Sequence, residues 1–250
     1  MIPYIHIGPV TIGSFGLLML LAFIAAYWVL AADIRRRGLQ ADAQNIITIC
    51  ALLGIAGAKI YHVLESPSEL IADPLGEIFS RAGFAWFGGL VGVLLALYLL
   101  ARKYKLHYLS ILDVCAPAAA LGYAVGRIGC LTSGDGDYGT PTSLPWGMSF
   151  PDGLVPTTQR VHPTPIYEAI AAVLIFWCLW RLAGKSQPIG KVTALYLILM
   201  GIERFLVEFI RINPRSFFGL SNAQAASLVS ILAGTIILIW ARKRPVESGT

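Results

Sequence analysis

Arg204, Glu208 and Arg211 stand at i, i+4 and i+7, which places all three on one face of a helix whose other positions are largely apolar. A guanidinium matches phosphate through two parallel hydrogen bonds, and a carboxylate one turn away can orient it. The trio is either an internal ion pair that ties helices together or an anion site. Buried ion pairs are poor stabilisers, so the anion site is the preferred reading. A second group is Gly126-Arg127-Ile128-Gly129-Cys130, at the opening of a long loop. Gly126 and Gly129, flanking an arginine, let backbone approach a ligand closely and let the arginine reach sideways. The third group is His162-Pro163-Thr164-Pro165-Ile166-Tyr167-Glu168. Pro165 suits the first turn of a helix. His162 is placed for proton transfer, with Tyr167 and Glu168 to orient it or a substrate. The alternative for this group is a tight, hydrogen-bonded helix entry. Lys59 either joins the site or snorkels to lipid headgroups. Asp113 and Glu203 suit the pairing of such cations, or, for Glu203, a place at the interface.

Composition determines what must position these groups. The 250 residues are 56% hydrophobic and only 13% charged, with a mean hydropathy of +0.70. A soluble globule carries about 25% charged residues. A chain this poor in charge must meet lipid over most of its surface, which excludes a cytosolic enzyme, a disordered regulator and a DNA-binding domain. A span needs roughly 20 apolar residues. Seven stretches meet or approach that length: Val10–Ala31, Ile46–Leu64, Phe84–Ala101, Leu109–Val125, Pro165–Leu182, Val192–Ile210 and Ala223–Ala241. The expected fold is an all-α integral membrane protein with seven transmembrane helices forming one domain. The first span lacks the basic leader and cleavage site of a signal peptide. Ionisable groups left at membrane depth, Lys59, Arg127 and Arg204 among them, are functional candidates by default.

Basic residues set the orientation. Arg35, Arg36, Arg37, Arg102, Lys103, Lys105, Arg181, Lys185, Lys191, Arg242, Lys243 and Arg244 all fall on one face. The opposite face has Arg81, Arg160, Arg211 and Arg215 among Glu65, Glu69, Asp73, Glu77, Asp135, Asp137 and Asp152. The positive-inside rule makes the first face cytoplasmic, the N-terminus periplasmic and the C-terminus cytoplasmic. The net charge of +5 then serves orientation and anionic headgroups rather than nucleic acid. Of the two long periplasmic loops, about 65–81 and 126–164, the second carries Tyr138, Trp146 and Phe150 and is expected to form an ordered cap. Cys50, Cys115 and Cys178 lie in spans and Cys130 starts the loop; no pair has a metal-site or disulfide spacing. Arginines, a histidine and carboxylates therefore gather at the periplasmic half of a bundle, which suits an anionic lipid headgroup.

In order and spacing these motifs resemble the prolipoprotein diacylglyceryl transferase family of bacterial membrane enzymes. The likeness spans nearly the whole chain: Ile7-Gly8-Pro9-Val10, Gly57-Ala58-Lys59-Ile60-Tyr61, Gly88-Gly89-Leu90-Val91-Gly92, Gly126-Arg127-Ile128-Gly129, His162-Pro163 with Tyr167-Glu168, and Arg204-Phe205 with Glu208-Phe209 and Arg211. The resemblance implies an inner-membrane enzyme that moves the diacylglyceryl group of phosphatidylglycerol onto the lipobox cysteine thiol of a prolipoprotein signal peptide. Glycerol phosphate leaves, and no metal or cofactor is needed. It implies that Arg127 and Arg204 hold the phosphate, that Glu208 and Arg211 support them, and that Gly88, Gly89, Gly126, Gly129, Cys130, Tyr167, Glu168 and Lys59 line the substrate. Several family positions differ. The histidine before Gly-Gly-Leu is Phe87, the asparagine after Gly-Arg-x-Gly is Cys130, the next asparagine is Ser133 and the glutamate is Asp135. The closing glycine sits one residue late at Gly139, and two tyrosines are Phe15 and Met200. With no base at position 87, the thiol proton falls to His162 or Asp135, or the arginine field alone lowers the thiol pKa. The alternatives are a divergent paralogue that uses another acceptor, a phospholipid-binding protein without turnover, or a transporter, for which no internal repeat speaks.

Overall fold

The computed structural model describes residues 1–65, 67–80, 85–216 and 218–243. Arg81, Phe84 and Arg244, used above to place loops and a span, lie outside the described residues. The chain opens with β1 (Tyr4–Ile7) and β2 (Val10–Gly13), an antiparallel hairpin in which Ile5 faces Ile12 and His6 faces Thr11. Its two-residue turn requires φ of +58° at Gly8. The expected start of the first span at Val10 is thus corrected: α1 runs Ser14–Arg36. Then follow α2 (Ala43–Glu65), the short α3 (Pro67–Ala72) and α4 (Pro74–Phe79), α5 (Trp86–Tyr104) and α6 (Tyr108–Ser133). An irregular segment with β3 (Met148–Phe150) and β4 (Thr157–Val161) leads to α7 (Thr164–Ala183), α8 (Lys191–Val207) and α9 (Asn222–Ala241). The helical class holds, with two small two-stranded sheets added to it.

Among the described residues, six helices, α1, α2, α5, α6, α7 and α9, are long and apolar enough to cross a bilayer. The seventh expected span, Val192–Ile210, is helical only through Val207 as the 17-residue α8. Its helix ends there because the loop takes over its backbone: Thr140 N–H donates to Ile210 O at 2.8 Å, and Gly139 forms an antiparallel bridge with Arg211. Conversely, α6 outruns its expected end at Val125 by eight residues. Gly126 and Gly129 do not break it, since glycine is common in membrane helices. It stops at Gly134, whose φ is +60° and whose N–H donates to Cys130 O at 2.9 Å. The Gly-Arg-Ile-Gly-Cys motif is therefore helical, and the loop begins at Gly134.

The chain divides into two compact units, Gly38–Leu112 and the remainder, Met1–Arg37 with Asp113–Thr250. In the first, α2 and α5 approach through glycines. A Cβ on Gly88 would stand 2.3 Å from both Gly57 O and Tyr61 Cβ, and one on Gly92 would stand 2.1 Å from Leu53 O. Such small-residue contacts replace the hydrophobic drive that lipid removes. In the second unit, Ala116 and Ala120 of α6, Ile175 and Leu179 of α7 and Val192 of α8 form a buried stripe, with Tyr196, Leu199 and Met200 packed against it. Gly201 and Gly234 bring α8 and α9 together, since a Cβ at either would meet backbone or side chain within 3.0 Å. Leu20, Leu21 and Trp28 of α1, Leu174 and Trp177 of α7 and Leu232 and Ile236 of α9 remain exposed, as lipid-facing positions should.

At the end of this unit where α8 begins, buried acids serve helix ends. Both carboxylate oxygens of Asp113 accept backbone N–H groups, from Gly190 and Thr193 at 2.7 Å each, so Asp113 caps α8. Asp33 is fully buried and pairs with Arg36 and Arg37 of its own helix, while Arg36 lies over the Trp180 ring at 4.0 Å. The loop after α6 is ordered: Tyr138 stacks on Phe150 at 5.2 Å, and both are buried with Val161.

Candidate active site

At the opposite end of the same helices, ionisable side chains converge on Glu168. Residue 168 lies in the first turns of α7, where Pro165 occupies the first turn as its ring geometry favours. The Glu168 carboxylate is wholly buried. Its Oε1 accepts from Tyr123 Oη at 2.9 Å and Arg204 at 2.7 Å, and lies 3.2 Å from Arg127; Oε2 accepts from Arg211 at 3.3 Å. Tyr123 and Arg127 are one turn apart on α6, and the guanidinium stands over the Tyr123 ring at 4.9 Å. Arg204 also pairs with Glu208 at 2.9 Å, and Asn213 donates to the other Glu208 oxygen at 2.6 Å. Asp137 closes the network by pairing with both Arg127 and Arg211.

The three guanidiniums are not equivalent. Arg211 keeps 5% of its side chain exposed, Arg127 14% and Arg204 22%. Arg211 is a strut: it lies outside α8 and also donates to the Asp137 carbonyl at 3.2 Å. Arg127 and Arg204 share one Glu168 oxygen, and each has a second acid, Asp137 for Arg127 and Glu208 for Arg204, while staying partly exposed. A preorganised pair of this kind can hold two oxygens of one phosphate. Burial opposes the charge on Asp137, but Arg211 and Arg127 outweigh it and hold that carboxyl below its usual range. Burial likewise opposes the charge on Arg211, yet Asp137 and Glu168 hold its pKa above the ordinary value.

The expected residues thus separate. Arg127, Arg204, Glu208, Arg211 and Glu168 come together, but Glu168 faces the arginines rather than His162. The His162 ring instead meets Tyr167 Oη at 3.3 Å, which accepts from exposed Trp146 at 2.8 Å. Asp135 accepts the Cys130 thiol and the Asp137 N–H at 3.2 Å, and burial lifts its pKa above the usual carboxylate range. Cys130 also lies 3.8 Å from Arg127. A Cβ on Gly126 would meet nothing within 4 Å, so space is open at Gly126 itself, whereas Gly129 packs on Phe15 and Leu18 of α1. Gly139 sits where a Cβ would come within 2.5 Å of Ile210 O. In the other unit, Lys59 donates to Ser80 at 2.8 Å, Gly88 is buried against Gly57, and Gly89 touches Ala58 at ordinary contact distance.

Cys130, Asp135 and Asp137 bring their ligand atoms within 4.8 Å of one another, a grouping that spacing did not signal. Two arginines already neutralise Asp137 and one adjoins the sulfur, a cationic setting that disfavours a metal ion. Sequence reasoning missed three members of the network: Tyr123, Asp137 and Asn213. Tyr123 had a signal in its i, i+4 relation to Arg127; the other two had none, because the loop's path brings them in.

Fold and site together define a multi-span membrane protein with a buried arginine–carboxylate network at one end of its helices. The sequence matches the prolipoprotein diacylglyceryl transferase family over residues 3–240, and the chain belongs to that family. It is 38% identical to a phosphatidylglycerol–prolipoprotein diacylglyceryl transferase of Cupriavidus pinatubonensis, covering 98% of this chain and 92% of that protein. Proteins of the same name from Chromohalobacter salexigens and Finegoldia magna are each 34% identical, covering 97% and 94% of this chain and 93% of each relative.

Proposed function

We infer that the chain transfers the diacylglyceryl group of phosphatidylglycerol to a prolipoprotein, as its relatives are named for doing. The observation that carries this reading is the convergence of Arg127 and Arg204 on one buried Glu168 oxygen, which sets two partly exposed guanidiniums where one phosphate can meet both. The sulfur of the lipobox cysteine attacks the glyceryl carbon that bears the phosphate ester. The C–O bond breaks, and glycerol phosphate departs with the electron pair. The arginines stabilise the charge that grows on the phosphate. Glu168, Glu208, Asp137 and Arg211 keep them in place, while open space at Gly126 admits the headgroup. His162, Tyr167 and the loop after α6 form the rim of the pocket, and Cys130 with Asp135 lies beside Arg127. The alternation of basic residues puts this end of the bundle on the periplasmic side of the inner membrane, with α8 completing a seventh span, the N-terminus outside and the C-terminus inside. The relatives' shared name supports turnover over phospholipid binding alone. Incubation of the purified protein with phosphatidylglycerol vesicles and a lipobox peptide should add a diacylglyceryl mass to the cysteine and release glycerol phosphate. An unmodified peptide beside folded enzyme would overturn the reading.

A further inference from the structure

We propose that Glu203 is the group that takes the proton from the acceptor thiol, a role that rests on the transferase reading above. Val192, Tyr196 and Leu199 lie on the side of α8 that packs against α6 and α7. Residue 203 continues that stripe toward the arginine network, at the eleventh position from Val192, so a carboxylate stands where the packing pattern calls for an apolar side chain. Its Oε2 is buried and, among the described residues, accepts no hydrogen bond. The groups that bear on it electrostatically are Glu168 of α7, Arg204 of its own helix, Arg127 and Tyr123 of α6, and Arg211 beyond α8. Among the described residues, each of those guanidiniums is paired with Glu168, Glu208 or Asp137, and none with Glu203.

A half-buried carboxylate with one buried, unbonded oxygen and no cation of its own costs stability, and an apolar residue would serve packing better. Its use is chemical. Arg127, Arg204 and Arg211 are matched by Glu168, Glu208 and Asp137, and Glu203 is a fourth acid within the field of the same three arginines. The two acceptors suggested by sequence already have partners: Asp135 holds the Cys130 thiol and the Asp137 N–H, and His162 holds Tyr167. In the proposed step the proton moves from sulfur to Glu203 Oε2 as the S–C bond forms and the C–O bond breaks. The departing monoester gains one negative charge and, with a second pKa near ~6, takes the proton from Glu203. No other reactant is required.

The test compares wild type, Glu203→Gln, Glu203→Asp, Asp135→Asn and His162→Ala as full-length protein in detergent. Transfer to a lipobox peptide is followed from pH 5.5 to 9, with phosphatidylglycerol binding and thermal unfolding measured in parallel. Glu203→Gln should bind the lipid and unfold like wild type, yet lose roughly 100-fold or more in kcat near neutral pH. Its rate should climb toward alkaline pH, because a free thiol with a pKa near ~8.5 then ionises unaided. Glu203→Asp should regain a substantial part of the rate. Wild-type kcat and an unchanged pH profile in Glu203→Gln would overturn the proposal. So would a loss that neither Asp nor alkaline pH relieves, or the same alkaline-recovering profile in Asp135→Asn or His162→Ala in place of Glu203→Gln. No transfer by the wild type would instead remove the activity itself, and this role with it.

Discussion

The two ends of the larger unit use the same residue types to opposite purposes. Where α8 begins, Asp113 and Asp33 are buried and fully engaged, one by backbone N–H groups and the other by arginines of its own helix. The partners are local or are helix termini, and the arrangement is static. Where α8 ends, arginines and acids from α6, the following loop, α7, α8 and the segment beyond it meet around Glu168. There, among the described residues, Glu203 Oε2 accepts no hydrogen bond, Arg211 Nε makes none, and Arg127 and Arg204 stay partly exposed. A buried charge whose valence is filled holds the fold; one whose valence is left open can hold a ligand.

Substitutions at the two ends should separate these purposes. The largest effect is expected from Glu168→Ala, which takes the shared acceptor from three guanidiniums and leaves each with another acid. Thermal or denaturant unfolding should show a loss of about 3–5 kcal/mol, together with loss of transfer. Next, Arg127→Ala and Arg204→Ala should each lower kcat/KM by about 100- to 1000-fold in a folded protein, and near-normal turnover in either would break the comparison. At the other end, Asp113→Ala removes a cap and two short backbone contacts. We expect a loss of about 2–3 kcal/mol in unfolding and an unchanged rate per folded molecule. A smaller effect comes from acid. Asp137 is held below its usual range, so its stabilisation is complete above the unfolded value near ~4 and is lost as pH falls further. The wild-type melting temperature should therefore drop on acidification below that point, and Asp137→Asn should flatten the slope. The smallest change is Gly126→Ala. Open space and helical backbone predict a gain of up to about 1 kcal/mol in stability, and substrate in that space predicts a raised KM with little change in kcat.

Much of the chemistry was legible because helical spacing is. Arg204 and Glu208 were readable as one face, and the apolar composition required membrane helices. Legibility failed where the chain leaves helical geometry or stays in it against expectation. Arg211 was read as helical, but the loop claims the Ile210 carbonyl and the helix ends first. The glycines around Arg127 were read as the opening of a loop, whereas helix α6 absorbs both and sets Tyr123 one turn from Arg127. Glu168 was read as orienting either His162 or a substrate, because it shares a motif with the histidine. Tyr167 and Glu168 are consecutive on α7, about 100° apart, so only one can face the histidine. Asp137 reaches the network through a loop path that no periodicity encodes.

The central claim, that the open end of the network holds a lipid phosphate, is tested most directly by native mass spectrometry of phosphatidylglycerol bound to wild type and to the Arg127→Ala/Arg204→Ala double variant. Glycerol phosphate serves as competitor. The account predicts that wild type retains the lipid and yields it to the competitor, while the folded double variant retains little. Equal retention by both proteins, unaffected by glycerol phosphate, would contradict it.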